Sequence, residues 1–197
     1  LHAMANIAPD PTLRLAMLFH DLGKPATFTL DEQGEGHCNG HSAVSAQLAR
    51  EILTRLRCDR ETSDAVVTLV AWHDRVRQFN RRSTLRLLEQ LGEVRLRQLL
   101  LVAEADIKAQ APETVPNKME QLMVGYAMVD ALRAADACFQ RRDLAIGGRD
   151  LIALGMKPGV PMGALLEQLF QDVLDGTLEN RRETLLAEAR ARIQKNS

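Results

Sequence analysis

Apolar side chains recur at helical spacing along almost the whole chain, and no segment alternates apolar and polar residues with the period of two that a half-buried strand needs. Residues 12–22 carry Leu13, Leu15, Ala16, Met17, Leu18, Phe19 and Leu22, apolar nearly all round, so a buried helix is expected there. Residues 161–175 place Met162, Leu165, Leu166, Leu169, Phe170, Val173 and Leu174 on one broad stripe. Further helices are expected at about 42–57, 61–79, 84–91, 93–110, 116–140 and 150–154. The pattern admits an all-α fold.

Local signals set the ends. Asp10, between Pro9 and Pro11, is placed to cap the first buried helix, and Gly23 with Pro25 is placed to stop it, the glycine as a left-handed closing residue. Gly176 ends the 161–175 helix, and Asn180 with Glu183 has the spacing of a capping box for the last one. Residues 26–40, rich in Gly, Asp, Glu and Asn, form the longest loop, and a loop of this length in a compact domain is more often functional than not.

A chain of 197 residues makes one domain or two small ones, and the composition shift at Ile146-Gly147-Gly148 places a boundary between 1–142 and 143–197. The formal net charge of −1 means that any attraction to nucleic acid or membrane must come from local charge. Cys38, Cys58 and Cys138 match no disulfide or zinc pattern and read as reduced thiols of a cytoplasmic protein. Neither a membrane-spanning run nor a signal peptide is visible. The start at Leu1 rather than Met reads as a fragment of a longer protein.

The chemistry concentrates at His20-Asp21, in the stretch Leu18-Phe19-His20-Asp21-Leu22-Gly23-Lys24-Pro25. Burying such a dyad at the end of an apolar helix is costly without a partner. A salt-bridged or capping pair is one answer. A divalent cation is another, and imidazole with carboxylate suits Mn, Fe, Ni or Zn, with Mg where carboxylates dominate. His37 and His41 lie in and beside the Gly-rich loop, His73-Asp74 closes another apolar helix after Trp72, and Asp106 stands on an otherwise apolar helical face.

HDLGKP, a Gly/His loop, a second His-Asp and Glu104-Ala105-Asp106 on a later helix together resemble the HD superfamily of metal-dependent phosphohydrolases. The resemblance implies an HD-domain helical bundle in which His20, Asp21 and Asp106 are metal ligands. It implies that His41 and His73 are additional active-site histidines that hold phosphate, water or a second metal. The superfamily's first histidine falls one helix upstream. His2 is the residue available there, followed by Ala3 where Thr or Ser is usual, and that ligand is more readily placed before Leu1. A bound divalent ion would activate water for attack at phosphorus. Asp21 would serve as base, and Lys24 or a histidine would offset charge on the phosphoryl oxygens. Lys24 equally suits a plain helix C-terminus.

The C-terminal third narrows the family. Gly148-Arg149-Asp150-Leu151-Ile152, then Gly155-Met156-Lys157-Pro158-Gly159, then Leu174-Asp175-Gly176-Thr177-Leu178-Glu179-Asn180 is similar to the tail of bacterial tRNA nucleotidyltransferases. That resemblance implies a helical tRNA-binding tail and an HD region that in some members hydrolyses 2′,3′-cyclic nucleotides and other phosphoesters. It also implies an N-terminal nucleotidyltransferase head in the same parent chain. No strand-borne carboxylate pair for nucleotide addition is visible here. For tRNA, residues 75–97 hold seven arginines against Glu89 and Glu93, with Arg75, Arg77, Arg81 and Arg82 the candidate phosphate contacts. A solvated helix face with internal ion pairs is the alternative. A non-catalytic tRNA-binding module is the alternative for the chain as a whole.

Overall fold

A computed structural model describes residues 2–76 and 78–195. It is all-α apart from one two-residue ladder. The chain divides into two compact units, one of Leu1–Phe79 and Leu91–Met128, the other of Asn80–Gln90 and Val129–Ser197.

The first unit opens with α1 (His2–Ala5) and α2 (Pro11–Phe19). The Asp10 carboxylate accepts from the Leu13 N–H at 2.9 Å, and Pro11, lacking an N–H, costs nothing in the first turn. Leu13, Ala16, Met17 and Phe19 are buried, but Leu18 is 48% exposed. α2 therefore buries a stripe and is not enclosed all round. It stops at Phe19, so His20 and Asp21 stand in the turn beyond it.

Gly23 differs from the expected left-handed stop. Its backbone is right-handed (φ −79, ψ −12) and it leads into the single turn α3 (Lys24–Thr27). What demands glycine is space: a Cβ here would lie 2.5 Å from the His41 carbonyl oxygen and 2.8 Å from the Ser45 nitrogen. The Gly23 N–H donates to Ser45 Oγ at 2.8 Å. This contact seats α4 (His41–Arg55) on the His-Asp turn and fixes where His41 falls.

The loop between them carries a small hairpin, β1 (Thr29–Leu30) against β2 (Gly36–His37), antiparallel with Thr29 opposite His37. Asp31 organises its tip. One carboxylate oxygen accepts from the Gln33 and Glu35 N–H groups, and the other lies 2.7 Å from His37 Nε2. Two-residue strands leave no alternation to read, which is why none was visible in the sequence.

α5 (Arg60–Trp72), capped by Asp59, packs on α2 and α4 and passes into a 3-10 turn, His73–Arg75, well short of the expected residue 79. α6 (Arg81–Ile107) is broken at Gly92 (φ 72, ψ 164), and its second half belongs to this unit with the first part of α7 (Val115–Ala134). Leu96, Leu99 and Leu100 are fully buried. Phe79 lies against Gly125, where a Cβ would meet its ring at 2.6 Å.

The second unit holds the first half of α6, the end of α7, α8 (Gly148–Ala153), α9 (Val160–Asp175) and α10 (Arg182–Lys195). α9 buries Met162, Leu165, Leu169, Phe170, Val173 and Leu174, and Gly176 closes it in the left-handed conformation at φ 75. Asn180 does not cap α10. Its side chain accepts from the Ala145 N–H at 2.9 Å and donates to the Asp143 carbonyl at 2.8 Å, holding the segment that leads into α8. The three cysteines are free. Among the described residues, no helix is long and apolar enough to cross a membrane.

Candidate metal centre

Several elements of the first unit converge on one cavity of about 430 Å³. The turn after α2 supplies His20 and Asp21; the start of α3 supplies Lys24; the start of α4 supplies His41; the 3-10 turn after α5 supplies His73 and Asp74; the second half of α6 supplies Asp106. Val76, Val102, Ala103, Ile107 and Leu122 form its apolar wall.

The three imidazoles are held alike. Nδ1 of His20 lies 2.7 Å from the Met17 carbonyl, that of His41 2.8 Å from the Cys38 carbonyl, and that of His73 2.7 Å from the Val70 carbonyl. A carbonyl only accepts, so each Nδ1 carries a proton, and a neutral His41 or His73 ring presents Nε2 as a lone pair. These Nε2 atoms meet. His41 Nε2 and His73 Nε2 are 3.1 Å apart, and Asp21 Oδ1 lies 3.5 Å and 3.9 Å from them. Two lone pairs at that distance repel unless a proton or a cation lies between them. Bonds of about 2.1 Å to one ion put neighbouring nitrogens roughly 3.0–3.4 Å apart, so the spacing fits a shared metal. Asp21, His41 and His73 form a cluster with ligand atoms all within 4.8 Å.

Asp21 faces both ways. Its Oδ2 lies 3.1 Å from His20 Nε2 and 2.7 Å from Lys24 Nζ, and Asp106 Oδ1 lies 3.5 Å from the same His20 nitrogen. His20 Nε2 is buried yet makes no well-directed hydrogen bond to either carboxylate. An orphaned buried nitrogen between two carboxylates is a second observation that fits a cation.

The electrostatics follow from this crowding. Burial alone would lower the His20 pKa, but the adjoining Asp106 and Asp21 carboxylates outweigh it and raise it to about 10. Burial would raise that of Asp21, but His20 and Lys24 hold it well below the usual carboxylate range. His20 likewise lowers Asp106. His73 is lowered by burial and by the neighbouring imidazoles. A cation bound at His20 would replace its proton, so these directions describe the chain without an ion.

The cavity thus brings together His20, Asp21, Lys24, His41, His73 and Asp106. His37 points elsewhere, paired with Asp31 in the hairpin, and the exposed His2 does not line the cavity. Reading the sequence missed Gln110, Lys118 and Gln121, which complete the wall. Gln110, four residues after Asp106, was within reach of helical spacing; the α7 residues were not.

Of the arginines singled out, Arg75 lies over the Trp72 ring at 4.6 Å, and Arg77 lies outside the described residues. Arg81 and Arg82 are exposed at the start of α6, Arg82 paired with Asp175 at 3.0 Å. Arg86 shares Asp175 and also bonds Gln171, while Arg97 pairs with Glu93.

Residues 41–189 match the family model described as tRNA nucleotidyltransferase domain 2. The chain belongs to the tRNA nucleotidyltransferase family. Its similarity to an A-adding tRNA nucleotidyltransferase of Deinococcus radiodurans is 30% identity over 176 residues, 87% of this chain and 40% of the relative. A CC-adding tRNA nucleotidyltransferase of Thermus thermophilus is 32% identical over 176 residues, 86% of this chain and 38% of the relative. A multifunctional CCA protein of Thioalkalivibrio sulfidiphilus is 32% identical over 160 residues, 77% of this chain and 35% of the relative. The chain therefore spans about two fifths of the length of these tRNA nucleotidyltransferase relatives. The matched region takes in His41, His73 and Asp106, and the His20-Asp21 turn precedes it.

Proposed function

We propose that this part of a tRNA nucleotidyltransferase carries an HD-type, metal-dependent phosphohydrolase site acting on phosphoesters such as 2′,3′-cyclic nucleotides. The observation that carries the reading is the pair of opposed Nε2 atoms on His41 and His73 beside Asp21. His20, Asp21 and Asp106 would hold an ion, with His41 and His73 beside them for phosphate, water or a second ion, and the bound metal supplies an activated water and a polarised phosphoryl oxygen. Asp21, shared between the two histidine groups, takes the proton of the attacking water. Lys24, 2.7 Å from Asp21, offsets charge on the phosphoryl oxygens. The apolar wall of Val76, Val102 and Leu122 excludes water from one side of the cavity.

In the same proposal the chain is divided by function into 1–142, carrying the site, and 143–197, a tail that helps to hold tRNA, with Arg75, Arg77, Arg81 and Arg82 contacting phosphates. Nucleotide addition would belong to a head elsewhere in the parent chain. One observation favours a second reading, a tRNA-binding module without hydrolase activity: His2, the upstream histidine available in this chain, lies outside the cavity.

Hydrolysis of 2′,3′-cyclic AMP with Mn²⁺, Ni²⁺ or Mg²⁺ separates the two. Metal-dependent turnover, lost by at least about 100-fold in Asp21→Ala, is expected. No turnover with any of the three ions in a chain extended upstream by one helix would leave the binding module as the reading.

A further inference from the structure

Asp106 carries a hydrogen bond that its place among the proposed ligands does not require. Its Oδ2 accepts from Gln110 Nε2 at 2.9 Å, and Gln110 Oε1 accepts from Lys118 Nζ at 2.5 Å. The two bonds together fix the amide. The reversed amide would set its oxygen against a carboxylate and its NH₂ against an ammonium. With Oδ2 engaged in this way, Oδ1 is the Asp106 oxygen turned to His20 Nε2.

Lys118 is oddly placed by the ordinary rules of helices. It stands in the first turn of α7, where the helix dipole disfavours a cation, and that turn carries no acidic residue. It lines the cavity together with Gln110. Its bond to the Gln110 oxygen polarises the amide and strengthens the N–H offered to Asp106.

We propose that Gln110 is a positioning residue for Asp106, set by Lys118, so that a relay from α7 decides which Asp106 oxygen faces the metal centre. The inference rests on the metal reading above. Partners of this kind behind a ligand typically account for 10–100-fold in metal affinity, and here the outermost member comes from a different helix. The relay ties the register of α7 to the ligand geometry on α6.

The test is Mn²⁺ and Ni²⁺ affinity, by titration calorimetry, of the wild-type chain, Gln110→Leu, Lys118→Met and the double variant. Gln110→Leu should weaken binding by about 10–100-fold, and Lys118→Met by less. The double variant should match Gln110→Leu, because Lys118 acts through the amide and its loss adds nothing once the amide is gone. Melting in EDTA should leave all three variants close to wild type, separating a positioning effect from a folding defect. A Gln110→Leu affinity within about twofold of wild type would overturn the relay. So would a double variant with additive losses, since Lys118 would then act on the ion independently. A wild-type chain that binds neither ion would instead overturn the metal reading, and the relay with it.

Discussion

Asp21 does two jobs with its two oxygens, one facing His41 and His73, the other facing His20 and Lys24. Without a cation, the strain of that crowding falls on His20. Its pKa is raised from 6.5 to about 10, so the folded chain holds a proton that the unfolded chain releases. A raised folded-state pKa contributes stability that is fully present below the unfolded value and is lost as pH rises toward the folded one. In EDTA, urea unfolding should therefore show stability falling steadily between about pH 6.5 and pH 10. His20→Gln should flatten that slope, and a slope unchanged in His20→Gln would place the proton elsewhere. A bound ion should remove much of the dependence, because metal takes the place of the proton.

At the scale of elements, the decisive contact is the seating of α4 on Gly23. Gly23→Ala would push a methyl group into the His41 carbonyl and the Ser45 nitrogen, and overpacking of this kind typically costs about 1–3 kcal/mol. Because those atoms begin the helix that carries His41, the variant should also bind Mn²⁺ more weakly. Denaturant melts beside calorimetry check both, and a loss of stability with unchanged affinity would show that α4 moves without its histidine. The same glycine marks the limit of sequence reading. Asp10 as a cap, Gly176 as a left-handed stop and the stripe of α9 were legible because each is decided within a few residues. Gly23, Asn180 and Lys118 were not, because their roles are set by partners 22, 35 or 37, and 8 residues away, respectively, brought near by packing. The His-Asp dyad stood out as chemistry, yet only resemblance joined it to His41, His73 and Asp106 before their geometry was known.

The molecule as a whole is two units interleaved in sequence, since α6 and α7 each pass from one unit to the other. The arginine-rich stretch straddles this division. Arg75 falls in the first unit and stacks on Trp72, while Arg81 and Arg82 fall in the second. If these side chains contact tRNA as proposed, Arg75→Ala and Arg81→Ala should each weaken binding and reduce the salt dependence by about one unit of slope. Arg82→Ala should do less, because its charge is already shared with Asp175. Filter binding over a range of KCl concentrations reads both quantities, and slopes unchanged in all three variants would remove the arginines from the interface.

The carbonyls that hold the imidazoles have one more implication. Met17 and Val70 lie in the last turns of α2 and α5, where a helix must leave its oxygens without backbone partners. Those spare oxygens orient His20 and His73. One further turn of either helix would direct a backbone N–H at the anchoring oxygen and release the ring. Helix length is thus a property on which the proposed site depends, and insertions near residues 20 or 73 would erase it while leaving every proposed ligand in the sequence.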